Sequence, residues 1–184
     1  MSEKFNEKTI HRDEIFRGRI ITLQVDEVEL PNGKTSKREL IRHPGAVAVI
    51  PILENGKILM VEQFRKPLER TIVEIPAGKL EPNEEPELTA KRELEEETGY
   101  QCESLEHLIS FYTSPGFADE LIHVYVATGL SKAENPLPAD EDEFVNILEV
   151  SLSEAEQMIE SKQIYDAKTA YAILYLKLKE LMKK

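Results

Sequence analysis

The sequence predicts an α+β or α/β sandwich, and three observations carry that expectation. Runs of β-branched and alternating residues are separated by Asn-Gly turns, as in consecutive antiparallel strands. A helical stretch opens near Pro86 and closes at Gly99. Two more helical segments follow Ser153 and Asp166, close to the C-terminal end.

Taken in order, Arg17 to Leu30 is strand-like, with alternation in LQVDEVEL. Pro31-Asn32-Gly33-Lys34 is a turn, because Asn-Gly readily takes the positive φ that a tight hairpin needs. Lys37 to His43 is the returning strand. A second hairpin runs from Ala46 to Leu53, turns at Glu54-Asn55-Gly56-Lys57 and returns from Ile58 to Phe64. Val47, Val49, Ile50 and Ile52 are apolar enough for a central strand covered on both faces.

A short strand is expected around Ile72 to Ile75, then a loop from Pro76 to about Glu85. In the helix that follows, Leu88, Leu94 and Ala90 form the buried side. Further strands are expected at Leu105 to Tyr112, Leu121 to Ala127 and Phe144 to Val150. Ser153-Glu154-Ala155-Glu156 reads as a capping box opening a helix to about Ser161. Asp166 caps a last helix whose apolar stripe, Ala170, Ile173, Leu174, Leu176, Leu178 and Leu181, is expected to pack into the core.

The 184 residues suit one domain, or one domain with a short arm, and 41% hydrophobic with 32% charged residues describes an ordinary globular protein. A net charge of −12 argues against nucleic acid or an anionic membrane as partner. Cys102 is the single cysteine, so no intramolecular disulfide forms, and a cytoplasmic location fits. No apolar run reaches the length of a membrane span. His11, His43, His107 and His123 lack the spacing of a zinc site.

The densest chemistry lies between Gly78 and Tyr100, GKLEPNEEPELTAKRELEEETGY. Glu93, Glu96 and Glu97 stand at i, i+3 and i+4, which puts three carboxylates on one helical face. Such a face either is a solvated acidic surface or is neutralised by a cation. Clustered hard oxygen ligands suit Mg²⁺ or Mn²⁺.

Gly78, Glu84, Arg92, Glu93, Leu94, Glu96, Glu97 and Gly99 fall at the offsets of the Nudix hydrolase signature, and the chain resembles that family. Tyr100 departs from it, since the family more often has an aliphatic residue there. Outside the signature, SKRELIRHPGAVAV, VEQFRKPLERTIVEIPAGK, FYTSPGFADE and DEDEF resemble the bacterial ADP-ribose pyrophosphatases. Pro115, sixteen residues after Gly99, sits where that subfamily has its marker proline.

The resemblance implies a mixed sheet between helices, an α/β/α sandwich, over residues 44–184. It implies that residues 1–43 are an N-terminal β-region used in a homodimer. It implies Mg²⁺-dependent hydrolysis of ADP-ribose to AMP and ribose 5-phosphate. Glu93 and Glu97 would be the principal metal ligands, Glu96 a further one, and the Ala77 carbonyl would complete the set. Glu84 and Arg92 would brace the loop against the helix.

For the base that deprotonates water, the resemblance points to the acidic run Asp140-Glu141-Asp142-Glu143, with Glu141 as the choice and Glu143 as an added ligand. Arg65 would clamp phosphate, with Lys66 and Arg70 as alternatives, Arg38 would reach across the dimer to the ligand, and Glu74 and Glu120 would accept hydrogen bonds from adenine or ribose. Each of these also suits an ordinary surface ion pair. Two other functions stay open: hydrolysis of another nucleoside diphosphate sugar or dinucleotide, and ligand sensing without catalysis.

Overall fold

The computed structural model describes residues 3–138 and 144–182. The chain divides into two compact units, one of residues 1–45 and 111–122, the other of residues 46–110 and 123–184.

In the first unit, β1 (Lys8–Arg17), β2 (Thr22–Glu29) and β3 (Thr35–Arg42) form an antiparallel sheet with β2 at its centre. The turn between β2 and β3 falls at the expected Asn-Gly pair: Gly33 has φ 77°, and Leu30 N–H donates to the Lys34 carbonyl at 2.7 Å. Strand β1 was not among the expected elements. Its register shifts between Thr9 and His11 and again between Glu14 and Phe16. Each shift is a bulge that resets the alternation, so Ile10, Ile15 and Phe16 keep no constant period.

Along β2 the inward positions are Gln24, Asp26 and Val28. Asp26 is buried, and Arg12 satisfies it through Nε and Nη2, both at 2.8 Å, with Thr9 Oγ1 and Gln24 Nε2 at 3.1 Å. The Arg12 hydrogen bond is the main reason the Asp26 carboxyl is held below its usual range. Within the same unit, Asp119 accepts from Arg42 Nη1 at 2.8 Å and from His43 N–H at 2.9 Å.

The second unit contains β4 (Ala46–Pro51), β5 (Ile58–Arg65), β6 (Arg70–Glu74), β7 (Ala77–Lys79) and β10 (Val145–Val150). It also holds most of β8 (Tyr100–Tyr112) and β9 (Leu121–Lys132), whose tips belong to the first unit. These strands divide between two sheets, ordered β10-β5-β6 and β7-β4-β9-β8. The expected second hairpin is therefore only partly formed. Its turn is present, with Leu53 N–H donating to Lys57, but a lone Ile52–Ile58 bridge joins the two arms before they enter different sheets. Strand β4 is central, and Val47 to Ile50 are fully buried, as their composition required.

Helix α1 (Pro86–Thr98) starts on Pro86 and ends at Gly99, whose φ of 70° lets its N–H cap the Glu95 carbonyl at 2.7 Å. Ala90 and Leu94 pack with Val47, Val49, Tyr125 and Ala127, which fixes α1 on the four-stranded sheet. Leu88 is instead exposed, and the rest of the buried side is polar: Thr89, Glu93, Glu97 and Thr98.

Helix α2 (Leu152–Glu160) has a capping box two residues earlier than expected, formed by Ser151 and Glu154. Helix α3 (Ala167–Leu181) is capped by Asp166, which accepts from Thr169 N–H at 3.1 Å. Of its expected apolar stripe only Ile173 is in the core, with Ala170 and Leu176 half-buried. The buried positions are Lys168, Thr169, Ala172 and Ile173, while Leu174, Leu178 and Leu181 are exposed.

Candidate active site

Three neighbouring pieces of the second unit build the acidic site: the end of β6, strand β7 and the inner face of α1. Pairing of Ala46 with Lys79, Val47 with Gly78 and Ala48 with Ala77 holds β7 against β4. Pro76 adds an acceptor for Val49 N–H at 2.9 Å, so the Pro76–Lys79 backbone is fixed from one side. From the other side, Glu97 Oε2 accepts the Ala77 N–H at 3.0 Å, and Gln63 Nε2 lies 3.5 Å from Glu97 Oε1.

Gly78 is where backbone and carboxylate come closest. A Cβ added there would stand 1.9 Å from Glu93 Cδ, inside the volume of the carboxylate. The glycine of the signature is thus a spatial requirement of Glu93 rather than a turn requirement, because its φ is not positive. Glu93 and Glu97 are both buried by this arrangement.

Arg92 organises the remaining acids. Its Nε and Nη2 grip Glu84 at 3.1 and 3.0 Å, which ties the loop before α1 to the helix. Nη1 reaches Glu93 at 2.9 Å and Glu96 at 2.7 Å. The Arg92 guanidinium has its pKa raised, chiefly by its hydrogen bond to Glu84, with Glu93 and Glu96 adding to it against the opposing effect of burial. Glu84 is reciprocally held below its usual range, first by Arg92. Glu84 and Arg92 thus occupy the bracing positions expected of them.

Among the described residues, no three acidic or histidine side chains already converge as a cation cage. Arg92 instead sets one positive charge against the three carboxylates it contacts, leaving an excess of hard, anionic oxygen. That excess, together with the cradle at Gly78, fits a hard divalent cation.

The other expected site residues fall into two groups. In the second unit, Arg65 Nε donates to Glu74 Oε2 at 2.5 Å, so two residues expected to touch substrate separately are partners of each other. Glu74 is buried, and its Oε1 accepts from Lys168 Nζ, a residue the sequence reading overlooked. Burial alone would lower the Arg65 pKa, yet it is raised, by the Glu74 hydrogen bond and by the charges of Glu74, Glu97 and Asp166. In the first unit, Arg38 pairs with Glu7 at 2.5 Å, and Glu120 accepts from Thr113 Oγ1 with His43 Nε2 at 3.7 Å. Of the alternatives to Arg65, Lys66 pairs with Glu69, while Arg70 donates to the Lys162 carbonyl and lies over the Tyr165 ring. Glu141, Glu143 and the rest of the acidic run from Asp140 lie outside the described residues.

With this geometry in view, comparison with known proteins assigns the class. Residues 41–171 match the NUDIX domain, and residues 7–41 match the nucleoside diphosphate sugar hydrolase N-terminal domain. The chain belongs to the Nudix family. It is 65% identical over 183 residues to the methanol dehydrogenase activator of Bacillus methanolicus, covering 100% of this chain and 99% of that protein. It is 61% identical over 180 residues to the ADP-ribose pyrophosphatase of Bacillus subtilis, covering 98% and 97%. A solved structure of an ADP compounds hydrolase superposes with a TM-score of 0.83 over 97% of this chain and 95% of that one, at 21% identity, which speaks to the fold.

Proposed function

We propose that the chain hydrolyses the diphosphate bond of ADP-ribose, releasing AMP and ribose 5-phosphate, with Mg²⁺ or Mn²⁺ as the metal. What carries this reading is the burial of Glu93 and Glu97 against Ala77 and Gly78, at signature positions of a Nudix chain. The choice of ADP-ribose leans on the full-length likeness to the Bacillus subtilis enzyme.

In this reading Glu93, Glu96, Glu97 and the Ala77 carbonyl hold the cation. When bound, the metal would neutralise the diphosphate oxygens and make a water easier to deprotonate. The chain's own residues do the rest. Arg92 relays Glu84 to Glu93 and Glu96, so the loop before α1 and the acidic face keep their spacing. The Nη atoms of Arg65 have no hydrogen-bond partner among the described residues and are available to a phosphate oxygen. Glu141 takes the proton from the attacking water, with Glu143 as an added ligand. Arg38, reaching across the dimer proposed below, and Glu120 add contacts to the substrate.

We also infer a homodimer through residues 1–43. Edge strand β1 is exposed along its whole length and displays Ile10, Ile15 and Phe16, a cost that a second copy would remove. Among the described residues no helix is long and apolar enough to cross a membrane.

Release of AMP, measured with Mg²⁺ over a panel of nucleoside diphosphate compounds, tests the substrate. ADP-ribose is expected to turn over fastest; fast turnover of another sugar nucleotide with none of ADP-ribose would reassign it. A second reading, activation of a methanol dehydrogenase, is favoured by the 65% full-length likeness to the Bacillus methanolicus activator. A rise in the rate of such a dehydrogenase when this protein is added would support it, and an unchanged rate would remove it.

A further inference from the structure

Outside the signature, an ion pair with both partners buried lies where α3 meets β6. Glu74 and Lys168 are both buried, far apart in sequence, and joined by a direct Nζ to Oε1 contact. Around them the network extends to Arg65, through Nε and Glu74 Oε2, and to Asp166, whose Oδ1 receives Lys168 Nζ at 3.0 Å. The backbone is pinned beside it: Ile75 N–H donates to Thr169 Oγ1 at 3.1 Å, and Val73 N–H to the Gln163 carbonyl at 2.8 Å. Two cations and two carboxylates balance, as buried charges must.

We propose that Lys168 is a positioning residue for the substrate diphosphate, acting through Glu74 on Arg65. This rests on the functional reading above and deepens it. Glu74 offers two oxygens, and a guanidinium facing a free carboxylate prefers to grip both, through Nε and an Nη. Lys168 occupies Oε1, and Arg65 reaches Glu74 through Nε, with its Nη groups left for phosphate. Without Lys168, Oε1 is open and Arg65 closes its fork on Glu74, which withdraws an Nη donor.

Lys168 is paired with Glu74 and Asp166, neither of which the reading above makes a metal ligand, so its loss is expected in binding rather than in the chemical step. The test is calorimetric binding of ADP-ribose in EDTA to the full-length protein, with turnover in Mg²⁺ measured in parallel. Lys168→Met is expected to weaken binding by about tenfold or more, the scale of one hydrogen bond to a charged group. Lys168→Gln, which keeps a donor but no charge, is expected to lose roughly threefold to fivefold, and it carries the test if the methionine variant does not fold. For both, kcat is expected to stay within about threefold of wild type.

In an Arg65→Gln background, neither change should alter affinity by more than about twofold, because the residue through which Lys168 acts is gone. A folded Lys168 variant that binds ADP-ribose as tightly as wild type overturns the proposal. So does a loss confined to kcat, or one that adds undiminished to that of Arg65→Gln. A wild-type protein that does not bind ADP-ribose overturns the functional reading and this inference with it; normal wild-type binding with indifferent variants overturns this inference alone.

Discussion

At the scale of single residues, the site depends on how closely a carboxylate can approach a backbone. The Glu93 carboxylate fills the space that any side chain at Gly78 would need. The obstacle is the far end of a flexible side chain, so Gly78→Ala should fold, moving Glu93 rather than β7. Thermal unfolding is expected to show a stability change within about 1 kcal/mol. Turnover of ADP-ribose, by contrast, should fall by about a hundredfold or more, because a misplaced ligand group costs transition-state stabilisation. Activity near wild type would mean that Glu93 is not needed where the structure puts it. For the base, Glu141→Gln is expected to lower kcat far more than Glu143→Gln, and the reverse order would move that role to Glu143.

At the scale of elements, helices α1 and α2 are stabilised by different means. Helix α1 is held by Leu94, fully buried against β4 and β9, and Leu94→Ala should cost roughly 2–5 kcal/mol in denaturant unfolding. Helix α2 depends on its Ser151–Glu154 box, and Ser151→Ala is expected to cost about 0.5–2 kcal/mol by the same measurement. A loss at Ser153→Ala as large as that at Ser151→Ala would put the cap where sequence spacing first suggested.

The elements that could be read from sequence are those set by local chemistry. Gly33 and Gly56 take φ of 77° and 79° in the expected turns, and Gly99 takes 70° at the end of α1. The acids of α1 were legible for the same reason, since helical spacing alone puts them on one face. Non-local choices were not legible. Nothing near Glu74 announces Lys168, ninety-four positions away, as its partner. The separation of β4 from β5 into different sheets depends on neighbours that neither strand encodes. In α3, the leucines beyond Ile173 have helical periodicity whether or not a sheet lies beneath them, which is why Leu174, Leu178 and Leu181 misled.

At the scale of the whole molecule, an acidic chain is stabilised by a few strongly paired carboxylates. Asp26 and Glu84 both titrate below their usual range because Arg12 and Arg92 grip them. A depressed folded-state value means that the stabilisation is complete above the unfolded carboxylate range. It is then lost as pH falls below about 4. The melting temperature is accordingly expected to drop on the acid side of that point, with a shallower drop in Asp26→Asn; an unchanged slope would exclude Asp26 as a contributor. The dimer belongs to this scale too. Light scattering at micromolar concentration should give twice the 21.0 kDa chain mass, and Phe16→Asp should shift it toward the monomer. A monomeric wild-type mass would remove the assembly.

The measurement that bears most directly on the whole account compares wild type with Glu97→Gln in the hydrolysis of ADP-ribose with Mg²⁺ and with EDTA. Wild type is expected to release equal amounts of AMP and ribose 5-phosphate with Mg²⁺ and almost none with EDTA. Glu97→Gln, still folded by its melting curve, is expected to lose about a thousandfold or more in rate, the scale of a lost transition-state contact. A variant that keeps near wild-type turnover, or a wild-type rate indifferent to EDTA, would contradict the assignment of the buried carboxylates of α1 to the metal and the diphosphate.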